Sequence, residues 1–260
     1  MKKYYLTLVL IFSFQAMYTQ EENPPIVTDR PDQTESSVTV PSKSLQIESG
    51  FTFGWDKQDG IETQDLGLNS TLFRYGVLSR LEVRLGLAFS GYTSKDEITG
   101  VETDLSGMIP LMVGLKWNFL LGDGPIPDLA LMSMVNIPPL ASKDYNDGNV
   151  TQSFRLAGGW KLSNTFSFGF NVGSIVDWKE SNWTPIYSGS LGISIIKWMG
   201  AFVELYSLHP DGEYSDHRFD FGFTFPVRNN LQFDISYGMG ISDNSPDGFA
   251  GIGFAWRIPR

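Results

Sequence analysis

From residue 44 onward, apolar and polar positions alternate with a period of two. The segment SLQIESGFTFGW at 44–55 puts Leu45, Ile47, Phe51, Phe53 and Trp55 on one face and Gln46, Glu48, Gly50, Thr52 and Gly54 on the other. A period of two is the signature of a β-strand, whose successive side chains point to opposite faces. The same texture returns at 65–75, 80–92, 105–119, 128–137, 150–162, 164–176, 185–197, 200–208, 217–226, 230–241 and 248–258. The pattern predicts an all-β chain of about twelve strands, while helical periodicity is almost absent.

The connections alternate in length. The stretches 56–64, 93–104 and 177–184 are long and polar, whereas GVLSR, LSN, KWMG and PVRNN are short. Transmembrane barrels of bacteria carry this asymmetry, with short periplasmic turns and longer external loops. A soluble sandwich has no physical reason to confine its long loops to one end. The faces agree with a barrel in lipid. Phe219, Phe221, Phe223 and Phe225 alternate with Arg218, Asp220, Gly222 and Thr224, and Leu231, Phe233, Ile235 and Tyr237 alternate with Gln232, Asp234, Ser236 and Gly238. Large apolar groups would then face outward and small or polar groups the concave interior. Trp117, Trp160, Trp198 and Trp256 fall near the short-turn end, and Trp55, Trp178 and Tyr187 near the other, as interface girdles do. Hydrocarbon offers no partner to a backbone N–H or C=O, so such a sheet must close. The expected architecture is a transmembrane, antiparallel, up-and-down β-barrel over residues 44–260.

Two segments precede it. Residues 1–19 carry Lys2 and Lys3 and then an apolar run too short to span a bilayer, which reads as a signal peptide. Export places the barrel in the cell outer membrane. Residues 20–43 are rich in proline and polar side chains and read as a periplasmic leader or partial plug, with a disordered tether as the alternative. Asp29, Arg30, Asp32 and Glu35 in this leader would meet the charges of the lumen.

The formal charge of −10 excludes nucleic acid as a partner, and the absence of cysteine excludes disulfides. The long connections hold sixteen acids against four lysines, Lys57, Lys95, Lys143 and Lys179. They form a solvated rim, with divalent-cation binding as the sharper alternative. His209 and His217, the two histidines, share one loop region and make no metal spacing or catalytic triad. No catalytic residue, metal or cofactor is expected.

Alternation assigns Glu48, Glu82, Arg84, Lys116, Arg155, Lys161, Glu204, Arg218, Asp220, Asp234 and Arg257 to the interior. Neighbouring strands pair opposite signs, Glu82 beside Lys116 and Arg218 beside Asp234. Two readings stand: a paired network that props or closes the lumen, and a polar constriction that selects a solute.

The leader motif Thr28 to Glu35 (TDRPDQTE), the following Val-Pro and the strand LQIESGFTFGW together resemble the bacterial outer-membrane family called putative MetA-pathway of phenol degradation. The resemblance extends as a strand pattern over nearly the whole mature chain. It implies an outer-membrane transporter taking up aromatic or other apolar compounds, and it carries no catalytic residues. The last strand also resembles the signal read by the barrel-assembly machinery, through Gly253, Trp256 and Ile258, although the chain ends Pro259-Arg260 rather than on an aromatic residue. The expected partners are the lipid bilayer and lipopolysaccharide, that machinery, and a small-molecule solute. The expected function is passive passage of a small, apolar or aromatic solute. The alternative is a closed structural or adhesion barrel whose acidic loops bind partners or cations.

Overall fold

A computed structural model describes residues 24–212 and 214–258. The expected signal peptide, Glu213 and the Pro259-Arg260 ending lie outside the described residues. Thirteen strands follow in order: β1 (Leu45–Gln58), β2 (Ile61–Leu78), β3 (Leu81–Asp96), β4 (Glu102–Met108), β5 (Leu111–Leu120), β6 (Asp128–Ile137), β7 (Thr151–Lys161), β8 (Phe166–Asp177), β9 (Asn182–Ile196), β10 (Met199–Leu208), β11 (Asp216–Arg228), β12 (Leu231–Gly240) and β13 (Gly248–Ile258). Each pairs antiparallel with its neighbour, and β1 pairs with β13 from Leu45 opposite Ile258 to Trp55 opposite Gly248. The sheet therefore closes.

Twelve positions around the wall accommodate thirteen strands because one position is broken. The pattern predicts a single strand at 105–119, and the structure splits it into β4 and β5. Pro110, which has no N–H to donate to a ladder, stands at the break. β3 serves both pieces: Leu81–Gly86 pairs with β5, and Phe89–Lys95 pairs with β4.

Burial is inverted relative to a soluble protein. Phe51, Phe221, Phe233, Ile235 and Ile252 are exposed, whereas Glu48, Glu82, Arg84, Lys116, Glu204 and Asp220 are buried. The apolar face meets the bilayer and the polar face lines the lumen, as the alternation requires. Trp117, Trp198 and Trp256 are exposed near the short-turn end, and Trp178 and Tyr187 near the other.

Much of the expected long-loop sequence is strand. β1 and β2 run on to an Asp59-Gly60 turn in which both residues have positive φ (51° and 80°). An Asp-Gly pair suits a two-residue hairpin, because glycine adopts this backbone without a Cβ clash. β2 and β3, at 18 and 16 residues, exceed the roughly 10 needed to cross a bilayer and stand above it as tall hairpins. The longest connection, 138–150, contains two 3-10 turns, Pro138–Leu140 and Lys143–Tyr145.

Candidate functional site: the lumen and its leader

The leader enters and leaves the barrel at the short-turn end. On the way in, the Ile26 N–H donates to the Asn229 carbonyl at 2.7 Å, and Arg257 donates to the Pro24 carbonyl. On the way out, Lys43 N–H donates to the Gly76 carbonyl at 2.6 Å, and Thr39 Oγ1 donates to the Ser79 carbonyl at 3.3 Å. Between these anchors the TDRPDQTE segment forms the apex of a loop inserted into the lumen.

One side of the apex docks on cations. Asp29 lies 2.8 Å from Lys116 Nζ, 3.0 Å from Arg84 and 3.1 Å from Arg74. Arg74 also holds Glu48 at 2.7 Å and Glu82 at 3.0 Å, and Arg84 holds Glu35 at 2.5 Å. The leader's backbone is gripped as well. Asp29 N–H donates to Glu48 at 2.9 Å, Val40 N–H donates to Glu82 at 2.8 Å, and Lys116 donates to the Ser36 carbonyl at 2.8 Å. Charges this deeply buried persist only when paired and hydrogen-bonded. Three cations against Glu48 and Glu82 leave an excess positive charge, and the leader's Asp29 and Glu35 reverse it.

The opposite side docks differently. Gln33 N–H donates to Glu204 at 2.6 Å, and the Thr34 hydroxyl donates to the other oxygen of the same carboxylate. Asn171 receives the Glu35 N–H at 2.8 Å and donates to the Glu35 carbonyl at 2.9 Å. Arg30 reaches Asp234 at 3.1 Å and lies over Gly50 and Gly253, which face each other across the β1–β13 seam. A Cβ at either glycine would stand within 2.4 Å of the guanidinium, so only glycine leaves the slot open. Asp220, directly opposite Glu204 on the neighbouring strand, is buried with both carboxylate oxygens lacking a hydrogen-bond partner among the described residues.

The structure thus gathers most of the interior charges around the leader and corrects others. Arg218 sits opposite Gly240, not beside Asp234, and bonds Asp216 on its own strand at 2.5 Å. The cause is register: Thr224, six residues further along β11, is the residue opposite Asp234. Lys161 is exposed at the end of β7. Arg155 touches the leader through the Gln33 carbonyl at 3.2 Å. Glu82 and Lys116 are cross-strand partners, as expected.

Arg74, the hub of the cationic side, escaped the alternation. Counting in twos from Leu66 and Leu68, both on the outer face, would put residue 74 outside as well. The register of β2 slips between Leu68 and Thr71, where Asn69 has φ 58°, and the phase inverts. Below the slip Tyr75 is outward and Arg74 inward. Such a β-bulge re-aims every side chain that follows it.

Above the apex lies a cavity of about 390 Å³. Its floor is the leader itself (Asp32, Gln33, Glu35), and its wall includes Leu72, Ala88, Ile109, Met112 and Met134. A wider opening at the external mouth is bordered by Leu208, Pro210 and Tyr214.

Among solved structures, the chain is similar to the COG4313 outer membrane channel from Pseudomonas putida F1, at 12% identity and a TM-score of 0.65, covering 90% of this chain and 100% of that one. The translocator domain of the autotransporter NalP from Neisseria meningitidis aligns at 8% identity and a TM-score of 0.54, over 84% of this chain and 89% of that one. The NanC porin aligns at 9% identity and a TM-score of 0.51, over 82% and 100%. A comparison with curated proteins finds no match. At such identities the likeness establishes the fold, a closed β-barrel of the outer membrane. A family model matches residues 28–258, beginning at the first residue of the leader motif and ending with β13, and the chain belongs to that family, described as putative MetA-pathway of phenol degradation.

Proposed function

We propose that the protein is a non-enzymatic outer-membrane channel for a small, apolar or aromatic solute, with its leader as an internal plug. The observation that carries this reading is the two-sided docking of residues 29–35 on Arg74, Arg84, Lys116, Glu204 and Asp234, which fills the periplasmic half of the lumen beneath a cavity whose wall mixes Leu72, Ala88, Ile109 and Met112 with Ser70, Thr71 and Arg155. The family description concerns phenol degradation and supports an aromatic solute class. The lumen residues Glu48, Glu82, Arg84, Lys116, Arg155, Glu204, Asp234 and Arg257 then act first as plug receptors, Asp220 lines the wall opposite Glu204, and Arg218 forms part of the external mouth. In this reading Gly253, Trp256 and Ile258 present β13 to the assembly machinery, and the acidic rim faces lipopolysaccharide.

The test is influx of N-phenyl-1-naphthylamine, an uncharged aromatic dye that brightens on entering a bilayer, into cells with and without the protein. Faster influx with the protein is expected. Equal rates would reject the channel and favour a closed structural barrel, the reading that the filled lumen also supports.

A further inference from the structure

We infer that Asp220 and Glu204 hold one proton between them, and that this proton latches the leader to the β10–β11 side of the lumen. Asp220 is fully buried, and neither of its carboxylate oxygens meets a donor among the described residues. Of its cross-strand neighbours, Gly238 on β12 has no side chain to offer, and Glu204 on β10 offers a second carboxylate within hydrogen-bond reach. An ionised carboxylate only accepts hydrogen bonds, whereas a protonated one also donates. A proton between the two groups supplies the missing donor and removes one of two facing charges. Carboxylates sharing a buried site keep a proton for this reason.

The surrounding elements offer no cation in its place. On the leader, Arg30 is turned to Asp234 of β12 at 3.1 Å, and Asp29 and Glu35 face the cations of the far wall. Asp32 adds a third carboxylate beside Glu204 and Asp220. On β11, Arg218 is taken by Asp216 at 2.5 Å and lies over the Tyr206 ring of β10 at 5.9 Å. β9 turns the uncharged Ser188 and Ser190 toward the leader. Among the described residues, no three His, Cys, Asp or Glu side chains are arranged to hold a metal ion.

The proton matters to the leader because Glu204 is its anchor on this side. One Glu204 oxygen accepts the Gln33 N–H at 2.6 Å and the other accepts the Thr34 hydroxyl, directly after Asp32 in the chain. When the proton leaves to solvent, Asp220, Glu204 and Asp32 are charged together. The strands are fixed by their ladders, so the repulsion falls on the leader. A cavity of about 60 Å³ bordered by Gln33, Ser188 and Tyr206 adjoins the latch, has room for a few waters and gives the proton its way out. The latch is whole at low pH and opens as the pH rises through the value at which the pair gives up its proton. Arg74 and Arg84 stay charged throughout, so the opposite side of the leader remains docked.

The test compares the full barrel in lipid vesicles with its Asp220→Asn variant, whose amide stands in for the protonated acid. Infrared difference spectra at about pH 6, where exposed carboxylates are ionised, detect the C=O stretch of a carboxylic acid apart from the amide and carboxylate bands. Hydrogen exchange of leader peptides, followed by mass spectrometry between about pH 5 and pH 9, reports the latch. Comparing both proteins at the same pH cancels the intrinsic pH dependence of exchange. Expected are a carboxylic-acid band in the parent that the variant lacks, and equal leader exchange at the acid end. Above the transition the parent's leader should exchange faster than the variant's, by up to about tenfold per pH unit, the limit for release of one proton. Absence of the band overturns the shared proton. A band without a pH-dependent difference in leader exchange overturns the latch. Neither readout needs a solute to cross the barrel, so the channel reading stands or falls separately, by dye influx.

Discussion

The two sides of the lumen solve one problem in opposite ways. On β2, β3 and β5, Arg74, Arg84 and Lys116 are surrounded by Glu48 and Glu82 and completed by the leader's Asp29 and Glu35. On β10 and β11, Glu204 faces Asp220 directly, and the leader brings the Gln33 backbone N–H and the Thr34 hydroxyl, together with the half-buried Asp32. The first side is held by charge neutralisation, the second by neutral donors among like charges. Removing a charge should therefore damage the first side and spare or help the second.

The largest effect is expected at the hub. Arg74→Ala leaves Asp29, Glu48 and Glu82 facing one another without their shared cation. It should destabilise the barrel by about 3–5 kcal/mol, read from urea unfolding in lipid vesicles. Arg74→Lys should recover only part of this, because an ammonium cannot fork between two carboxylates. Equal stability of Arg74→Ala and the parent would break the comparison.

Next is Asp29→Asn, which keeps the shape and removes the charge shared by three cations. A loss of about 3 kcal/mol is expected, with the leader loosened and ion conductance in planar bilayers raised. A smaller effect is expected where the leader crosses the β1–β13 seam. Gly253→Ala places a methyl group where the Arg30 guanidinium lies and should cost about 1–3 kcal/mol as the side chain is displaced from Asp234. Double-mutant analysis with Arg30→Ala should show the two changes to be non-additive.

The smallest effect, of opposite sign, is expected for Asp220→Asn. Like charges directly opposite each other on neighbouring strands are destabilising, so removing one should leave stability unchanged or raise it by up to about 1 kcal/mol. A loss comparable to that of Asp29→Asn would show that both sides depend on charge and would end the contrast.

Period-two alternation made the barrel legible because lipid and lumen impose opposite chemistry on successive residues. That ground alone places Glu48, Glu82, Lys116, Glu204 and Asp234 inside. The TDRPDQTE motif marked the leader as a partner for lumen charge, but only the folded chain shows both its ends at the short-turn mouth and its apex between two unlike walls.

Where local backbone departs from ideal pleating, the alternation misleads. Asn69 inverts the phase ahead of Arg74 and hides the central cation. Pro110 carried a signal that the strand at 105–119 should break, since proline within a strand interrupts its ladder. Alternation puts Arg218 and Asp234 on one face but does not give their heights along the barrel, and the register sets them apart.

By itself, then, the sequence determined the class of fold, the polarity of its two faces and most of the residues that line the lumen, since each follows from the solvent that a side chain meets. The tertiary structure alone decided which charges touch, where the leader lies and where the wall is broken. Those depend on strand register and on contacts between residues up to 233 positions apart, which no local pattern encodes.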